Sequence, residues 1–458
     1  MTKPMNEIPG PEQINGIFGA LKLFRAFNED ALALIESQKQ TYGDMVMMEV
    51  LGTKQILVSN PDLFREILVT QGKSFEKDKE YKDTSKGLAR FLGNGLIVSD
   101  GEFWKKQRKL VQPAFHVKRI AEYADTMGQY TDDMLNHWQG KHQIDLAREM
   151  MLVTLRIVAR TIFDTDIQNN ADDIALAMEA VNETAGRNSV LPAWVPTPQE
   201  LLARRSLREL DAYVYDLIEK RRSENQDRGD LLSMLLLAEA DDGQRMSDKE
   251  VRDEAVGLFL AGHETTANAL NWTFYLLAQN PDVEAKLHEE LDRVLGGRIP
   301  TMSDLRDLPY TEMVIKESMR WMPPVSGVGR RSIEPIELGG YQIDAGTSFI
   351  LNFYSVHRDE RYWDDPDAFR PERFDESLGN EHHRYAYLPF GGGARVCVGN
   401  SFAMMEAQIL LATIAQRYRL SLNPNHEVIP VARISTYPKD GLPMLITERE
   451  PVLQPEMA

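Results

Sequence analysis

Cysteine is almost missing from this chain: Cys397 is the single one among 458 residues. An internal disulfide is thereby excluded, and a reducing, cytoplasmic setting is expected. Long hydrophobic runs are missing as well. No stretch of about 18 apolar residues occurs, so no membrane span is expected. Met1 to Pro11 is polar and lacks the apolar centre of a secretory signal. Positive charge is scarce: 52 Lys and Arg against 70 Asp and Glu leave a net charge of −18, which argues against a nucleic-acid partner. Repeats and low-complexity segments are absent. So is a phosphate-cradling loop, because the glycines from Gly391 to Gly399 lack a preceding strand–helix–strand context. What is present is a 43% hydrophobic composition, ample for a large core.

The lone thiol lies in the most patterned stretch of the chain, PFGGGARVCVGNSFA, Pro389 to Ala403. Gly391, Gly392 and Gly393 permit a tight, partly left-handed turn that a side chain would block. Asn400 to Tyr418 carries apolar residues at helical spacing. Cys397 therefore falls just before a helix N-terminus, where free N–H groups and the dipole favour a thiolate. If Cys397 ligates the iron of a flat macrocycle, Gly399 leaves the backbone open to it, Phe390 can shield the sulfur, and Arg395 can reach an acidic side group as a charge-assisted donor. A cysteine in a helical protein is usually just a small buried hydrophobe, but here the pattern F-G-x-G-x-R-x-C-x-G is filled without a gap. The stretch resembles the haem-thiolate signature of the cytochrome P450 family.

Four further motifs extend that resemblance. Asp100 is expected to cap a helix from Gly101 to about Val111, stopped by Pro113. Trp104 and Arg108, at i and i+4, share one of its faces. The resemblance implies that they hold a haem propionate. The adjacent Lys105, Lys106 and Lys109 then form a positive patch on the cysteine side, suited to an acidic electron donor; on spacing alone they read equally as a solvated face. Ser247 to Glu250 is a capping box opening a helix of about 33 residues, roughly 50 Å long, with AGHETT at its middle. A glycine and two threonines are poor helix formers at such a place, and local rule-breaking points to function. Single threonines also back-bond to the carbonyl at i−4. In the resembled family this motif carries an acid–alcohol pair for proton delivery, matched here by Glu264 and Thr265, with Ala261 and Gly262 leaving room for ligands and His263 structural. The pair Glu317 and Arg320, together with Arg373 in FRPERF, is implied to form a buried charge network that pins the haem-binding segment. Of Arg330 and Arg331, Arg330 is favoured as a propionate ligand.

Met45 to Leu51 and Gln55 to Val58 alternate around Gly52, a hairpin signal. Phe75 to Leu96 reads as a loop with short helical pieces, and Gly186 to Pro198 as a breaker-rich loop that the resemblance makes a lid. Short strands are expected at Ile336–Leu338, Tyr341–Ile343 and Ser348–Leu351, with closing strands at Ser421–Val428 and Pro443–Thr447. Ile14 to Phe27 is mildly amphipathic. Residues 1–10 and 448–458 are expected to be flexible tails.

The expected architecture is mainly α with a smaller β-rich part, the family's helical prism around one haem, as a single catalytic domain over 1–458. The implied reaction is monooxygenation by haem b with an axial thiolate from Cys397. The cofactor-binding set is Trp104, Arg108, Ala261, Arg330, Phe390, Arg395, Cys397 and Gly399. Ile97, Leu258, Ala261, Val325, Val328 and Tyr437 are expected to line a pocket for a lipophilic substrate: a fatty acid, terpenoid or steroid. The chain has no room for a fused reductase, so electrons come from a ferredoxin- or flavodoxin-type partner. The absence of an anchor before IPGP resembles soluble bacterial members. Two rivals are a peroxide-dependent or rearranging haem-thiolate enzyme, which needs no Glu264–Thr265 relay, and a non-enzymatic haem sensor.

Overall fold

The computed structural model describes residues 2–450 apart from 86, 168–170, 186–194, 196, 225, 238–242, 244, 380 and 381. Helices dominate, and one of them lies at the centre. Asp248–Leu277 is buried for almost its whole length, including polar and charged residues such as Arg252, Asp253, Glu254 and Glu264 that are satisfied or held inside the protein. At 30 residues it is about 45 Å long. Its start is the expected capping box: the Ser247 side chain accepts from the Glu250 N–H, and the Ser247 N–H donates to the Glu250 carboxylate at 2.8 Å. Leu146–Phe163, Pro198–Glu224 and Pro309–Trp321 pack on it, and so does the helix after the cysteine, Asn400–Arg417. One continuous apolar core joins these elements, from Trp138 and Phe163 through Phe259 and Leu270 to Leu410.

A second core lies under a five-stranded sheet. Its strand order is Met45–Val50, Thr53–Val58, Ser348–Asn352, Gly327–Ser332, Phe75–Lys77. The first two strands form the expected hairpin, with Met45 opposite Val58, and the Thr53 strand joins Ser348–Asn352 in parallel. Arg330 faces Phe349 on one side and Lys77 on the other. The sheet thereby carries two cations, far apart in sequence, to one edge.

Several expectations are corrected. Residues 3–8 are not a loose tail: Lys3–Pro4 pairs with Tyr341–Gln342, and Met5 and Ile8 are buried. Residues 451–458 and most of the Gly186–Pro198 segment lie outside the described residues. The strand expected at Ser421–Val428 is Tyr418–Leu422, paired with Pro443–Glu448; the helix before it ends at Arg417, and Asn423 and Pro424 break the strand instead of beginning it. Asp100 precedes the helix Gly101–Val111 but does not cap it. Its carboxylate is drawn away by two full charges, the Lys82 ammonium and the Arg395 guanidinium, and also accepts the Lys77 N–H.

Candidate active site

The central helix turns only three residues of its middle away from protein: Ala261, Gly262 and Thr265 are accessible where the residues around them are buried. They open onto a cavity of about 1510 Å³, well above the 300–1,000 Å³ usual for a small-ligand pocket. Cys397, Phe390, Gly399 and Arg395 line it, as do Ile97, Leu258, Val325, Val328 and Arg330.

The cysteine loop is built by local backbone rules. Gly391 and Gly393 have φ of +68° and +66°. A Cβ on Gly393 would lie 2.1 Å from the Leu68 carbonyl oxygen, so glycine is required there twice over. The Cys397 N–H donates to the Phe390 carbonyl at 3.0 Å, and Arg108 donates to the carbonyl of Val396 at 2.8 Å. The thiol has open space before it although protein surrounds it. Burial pushes its pKa above the ordinary thiol range, against the pull of the Gly399 N–H and of Arg108. A thiolate here needs a cation in contact with the sulfur.

On the same cavity wall, positive charge is concentrated. Lys77 and Arg330 are direct cross-strand partners, so their side chains share a face, an unfavourable arrangement for like charges. Burial, then Arg330 and Arg395, pushes the Lys77 amine down to about 7. Burial also lowers Arg330, and it lowers Arg395 to about 10. Arg395 is anchored by the Ser99 carbonyl at 2.7 Å and by Asp100, and its guanidinium lies 4.1 Å from the Trp104 ring centroid. A flat apolar ligand with two carboxylates and an iron centre answers all three features: the clustered cations, the apolar slot beside Ala261 and the buried thiol. The residues present fit haem.

Trp104 and Arg108 are not in the cavity wall. Trp104 stacks against Arg395, and Arg108 braces the cysteine loop through the Val396 carbonyl. Tyr437 is not among the lining residues; its hydroxyl is bonded to Glu183, which does line the cavity. Gly262 borders the cavity, yet its missing Cβ would stand 3.0 Å from Val158, so its small size serves helix packing more than ligand space. Arg331 turns to the Gly346 carbonyl and Glu76, leaving Arg330 as the inward arginine. Lys77 escaped sequence reasoning: no motif marks it, and only the pairing of residues 77 and 330 gives it a partner.

The Thr265 hydroxyl donates to the Ala261 carbonyl at 2.8 Å. The Glu264 carboxyl is buried, and burial raises its pKa to about 7. His263 is fully buried, its Nδ1 faces the Phe259 carbonyl, and burial lowers it to about 4; it is structural. Arg320 and Glu317 are wholly buried and joined by two hydrogen bonds of 2.7 and 2.8 Å. Arg373 reaches Glu317 at 3.2 Å, and Arg320 donates to the His357 carbonyl. The Leu388 N–H, at the head of the cysteine loop, donates to His357 Nε2 at 2.9 Å. The network thus ends on the haem-binding segment. Lys105 and Lys109 are exposed and Lys106 is half-buried; Lys105 pairs with Glu102 at 2.6 Å.

A helical body around one cavity lined by a thiol and by an acid–alcohol pair defines a haem-thiolate protein. The sequence matches the cytochrome P450 family profile over residues 9–440, and the chain belongs to that family of monooxygenases. It is 37% identical to cyclooctatin synthase of Streptomyces melanosporofaciens, over 86% of each chain. It is 33% identical to pentalenene oxygenase of Streptomyces avermitilis, over 91% of this chain and 92% of the relative. Its fold resembles that of retinoic acid bound cyanobacterial CYP120A1, with a TM-score of 0.87, 23% identity and coverage of 98% and 100%. Among the described residues no helix is long and apolar enough to cross a membrane.

Proposed function

We propose that this monooxygenase hydroxylates a terpenoid, using haem b bound by Cys397 and electrons from a separate ferredoxin- or flavodoxin-type protein in the cytoplasm. The observation that carries the reading is the apolar lining of the cavity that Cys397 shares. Where substrate must lie, it presents Leu258, Ala261, Val325 and Val328, which offer a hydrocarbon skeleton contact without hydrogen-bond demands. Two similar proteins are named for terpenoid products or substrates. The overall change is R–H + O₂ + 2 e⁻ + 2 H⁺ → R–OH + H₂O: the O–O bond breaks, one C–H becomes C–OH, and the donor protein is oxidised.

Haem, when bound, supplies the reductive activation of O₂. The chain supplies the rest. Cys397 contributes the ligand sulfur, and Phe390 and the glycine turn hold it in place. Lys77, Arg330 and Arg395 take the propionates as charge-assisted partners. Thr265 offers a hydroxyl at the cavity surface, and Glu264, half-protonated near neutral pH, is a proton source matched to its task. Lys105, Lys106 and Lys109 dock the acidic donor.

A spectral titration of the ferric protein with terpenes, fatty acids and steroids tests the substrate class. A saturating low- to high-spin shift with a terpene, absent with the others, supports it; a shift only with another class overturns it. Thr265→Ala tests the proton role. Oxygen consumption should continue while product per electron pair falls, and unchanged coupling would count against the role.

A further inference from the structure

Glu264 is held by partners that no motif marks. Asn182, on the helix Ala171–Ala185, donates its amide to Glu264 Oε1, and so does the hydroxyl of Ser435, just before the short strand Thr436–Pro438. The Ser435 hydroxyl itself accepts from Asn268 Nδ2 at 3.0 Å, one turn along the central helix from Glu264. Asn182 also accepts the Ile434 N–H at 3.2 Å through its Oδ1. Asn182, Asn268 and Ser435 are all buried. These bonds have a direction. Asn268 fills the acceptor side of Ser435, so its one proton points at Glu264. Asn182 presents Oδ1 to a backbone donor, so its N–H₂ faces Glu264. Oε1 therefore takes two donors and has no room for a proton, and any proton on this carboxyl sits on Oε2. That oxygen has no hydrogen-bond partner among the described residues, and Glu264 lines the cavity.

We infer that Ser435 and Asn182 are positioning residues that choose the oxygen of Glu264 on which its proton is carried, locking Oε1 as acceptor and turning Oε2–H to the cavity. The inference deepens the proton role proposed for Glu264 and rests on it. Among the described residues, the charged and titratable surroundings are these. From Ala171–Ala185 come Glu179 and Glu183, which add to burial in raising Glu264. From the hairpin come Tyr437, tied to Glu183, and Arg433, whose guanidinium donates to the Ala432 and Asn28 carbonyls. None of these bonds Glu264. The donors from Ser435 and Asn182 favour its ionised form.

Loss of one donor should raise the titration midpoint of Glu264 by about one pH unit, the worth of a neutral hydrogen bond. The carboxylic C=O stretch, followed by difference infrared titration of the haem-loaded protein and assigned by its loss in Glu264→Gln, reads that midpoint without turnover. Ser435→Ala and Asn182→Ala should each move it upward and broaden the band, with haem content unchanged; Ser435→Thr, which keeps the hydroxyl, should restore it. In the coupled assay Ser435→Ala should lower product per electron pair several-fold and carry the pH profile with the infrared midpoint. An unmoved midpoint in both alanine variants overturns the inference. A moved midpoint with unchanged coupling supports the proton placement and instead contradicts the proton role of Glu264, so the two failures are distinct.

Discussion

Replacing Glu317 by Ala is the sharpest test of the scaffold that holds the cysteine loop. The Glu317 carboxylate accepts from Arg320 Nε and a terminal Arg320 nitrogen at 2.7 and 2.8 Å, from the Arg370 N–H at 3.0 Å and from Arg373 Nε at 3.2 Å. Both members of the central pair are 0% exposed. Truncation strands the Arg320 guanidinium out of water, and breaking a buried pair in this way costs about 3–5 kcal/mol. One turn earlier on the same helix stands a control with the same chemistry. Glu312 and Lys316 form a 2.7 Å pair at 39% and 30% exposure, worth about 0.3–0.5 kcal/mol for an i, i+4 contact. The two substitutions should therefore differ about tenfold in cost. Urea unfolding of the purified protein measures both, and absorbance measures haem retention, which should fall with Glu317→Ala because Arg320 reaches the cysteine loop through His357 and Leu388. If Glu317→Ala loses no more stability than Glu312→Ala, the reasoning from burial is wrong.

Other expectations follow from single features. Gly393→Ala should abolish haem incorporation, since φ is +66° and the new Cβ meets the backbone oxygen of Leu68; normal haem content would refute the turn geometry. Lys77, lowered to about 7, holds fewer protons folded than unfolded from pH 7 to about 10.4. Its penalty on the haem-free protein is full below pH 7 and fades as pH rises through that window. Lys77→Met should therefore stabilise the haem-free form at pH 7 yet weaken haem retention, as unfolding and haem-transfer assays would show. Substituting Lys105, Lys106 and Lys109 together with Glu should slow reduction by a ferredoxin or flavodoxin, most at low salt, without changing haem content; unchanged rates would remove the docking patch.

Much of the site was legible because its parts are local. The capping box at Ser247, the break at Pro113 and the pattern around Cys397 depend on neighbours within a few residues, where backbone rules decide. Arg320 found Glu317 because i, i+3 is fixed by the helix. What escaped depends on partners distant in sequence. Asp100 had every local reason to cap a helix, but Lys82 and Arg395 offered full charges instead of an N–H. Lys77 gains meaning only opposite Arg330, and Ser435 only beside a carboxyl 171 residues earlier. Tyr437 was expected in the wall, but it meets the cavity only through Glu183, a partner 254 residues away that its hydroxyl bonds. The chain end was misjudged for a related reason: the short polar segment 2–8 offers no pattern, yet a free sheet edge at Tyr341 takes it up.

The central claim is that Cys397, the chain's single cysteine, ligates haem iron as a thiolate. The ferrous–CO difference spectrum tests it most directly. The native protein should show the strong red shift of thiolate ligation, and Cys397→Ser should lose it. A native spectrum without that shift, or a shift that survives in Cys397→Ser, would contradict the account.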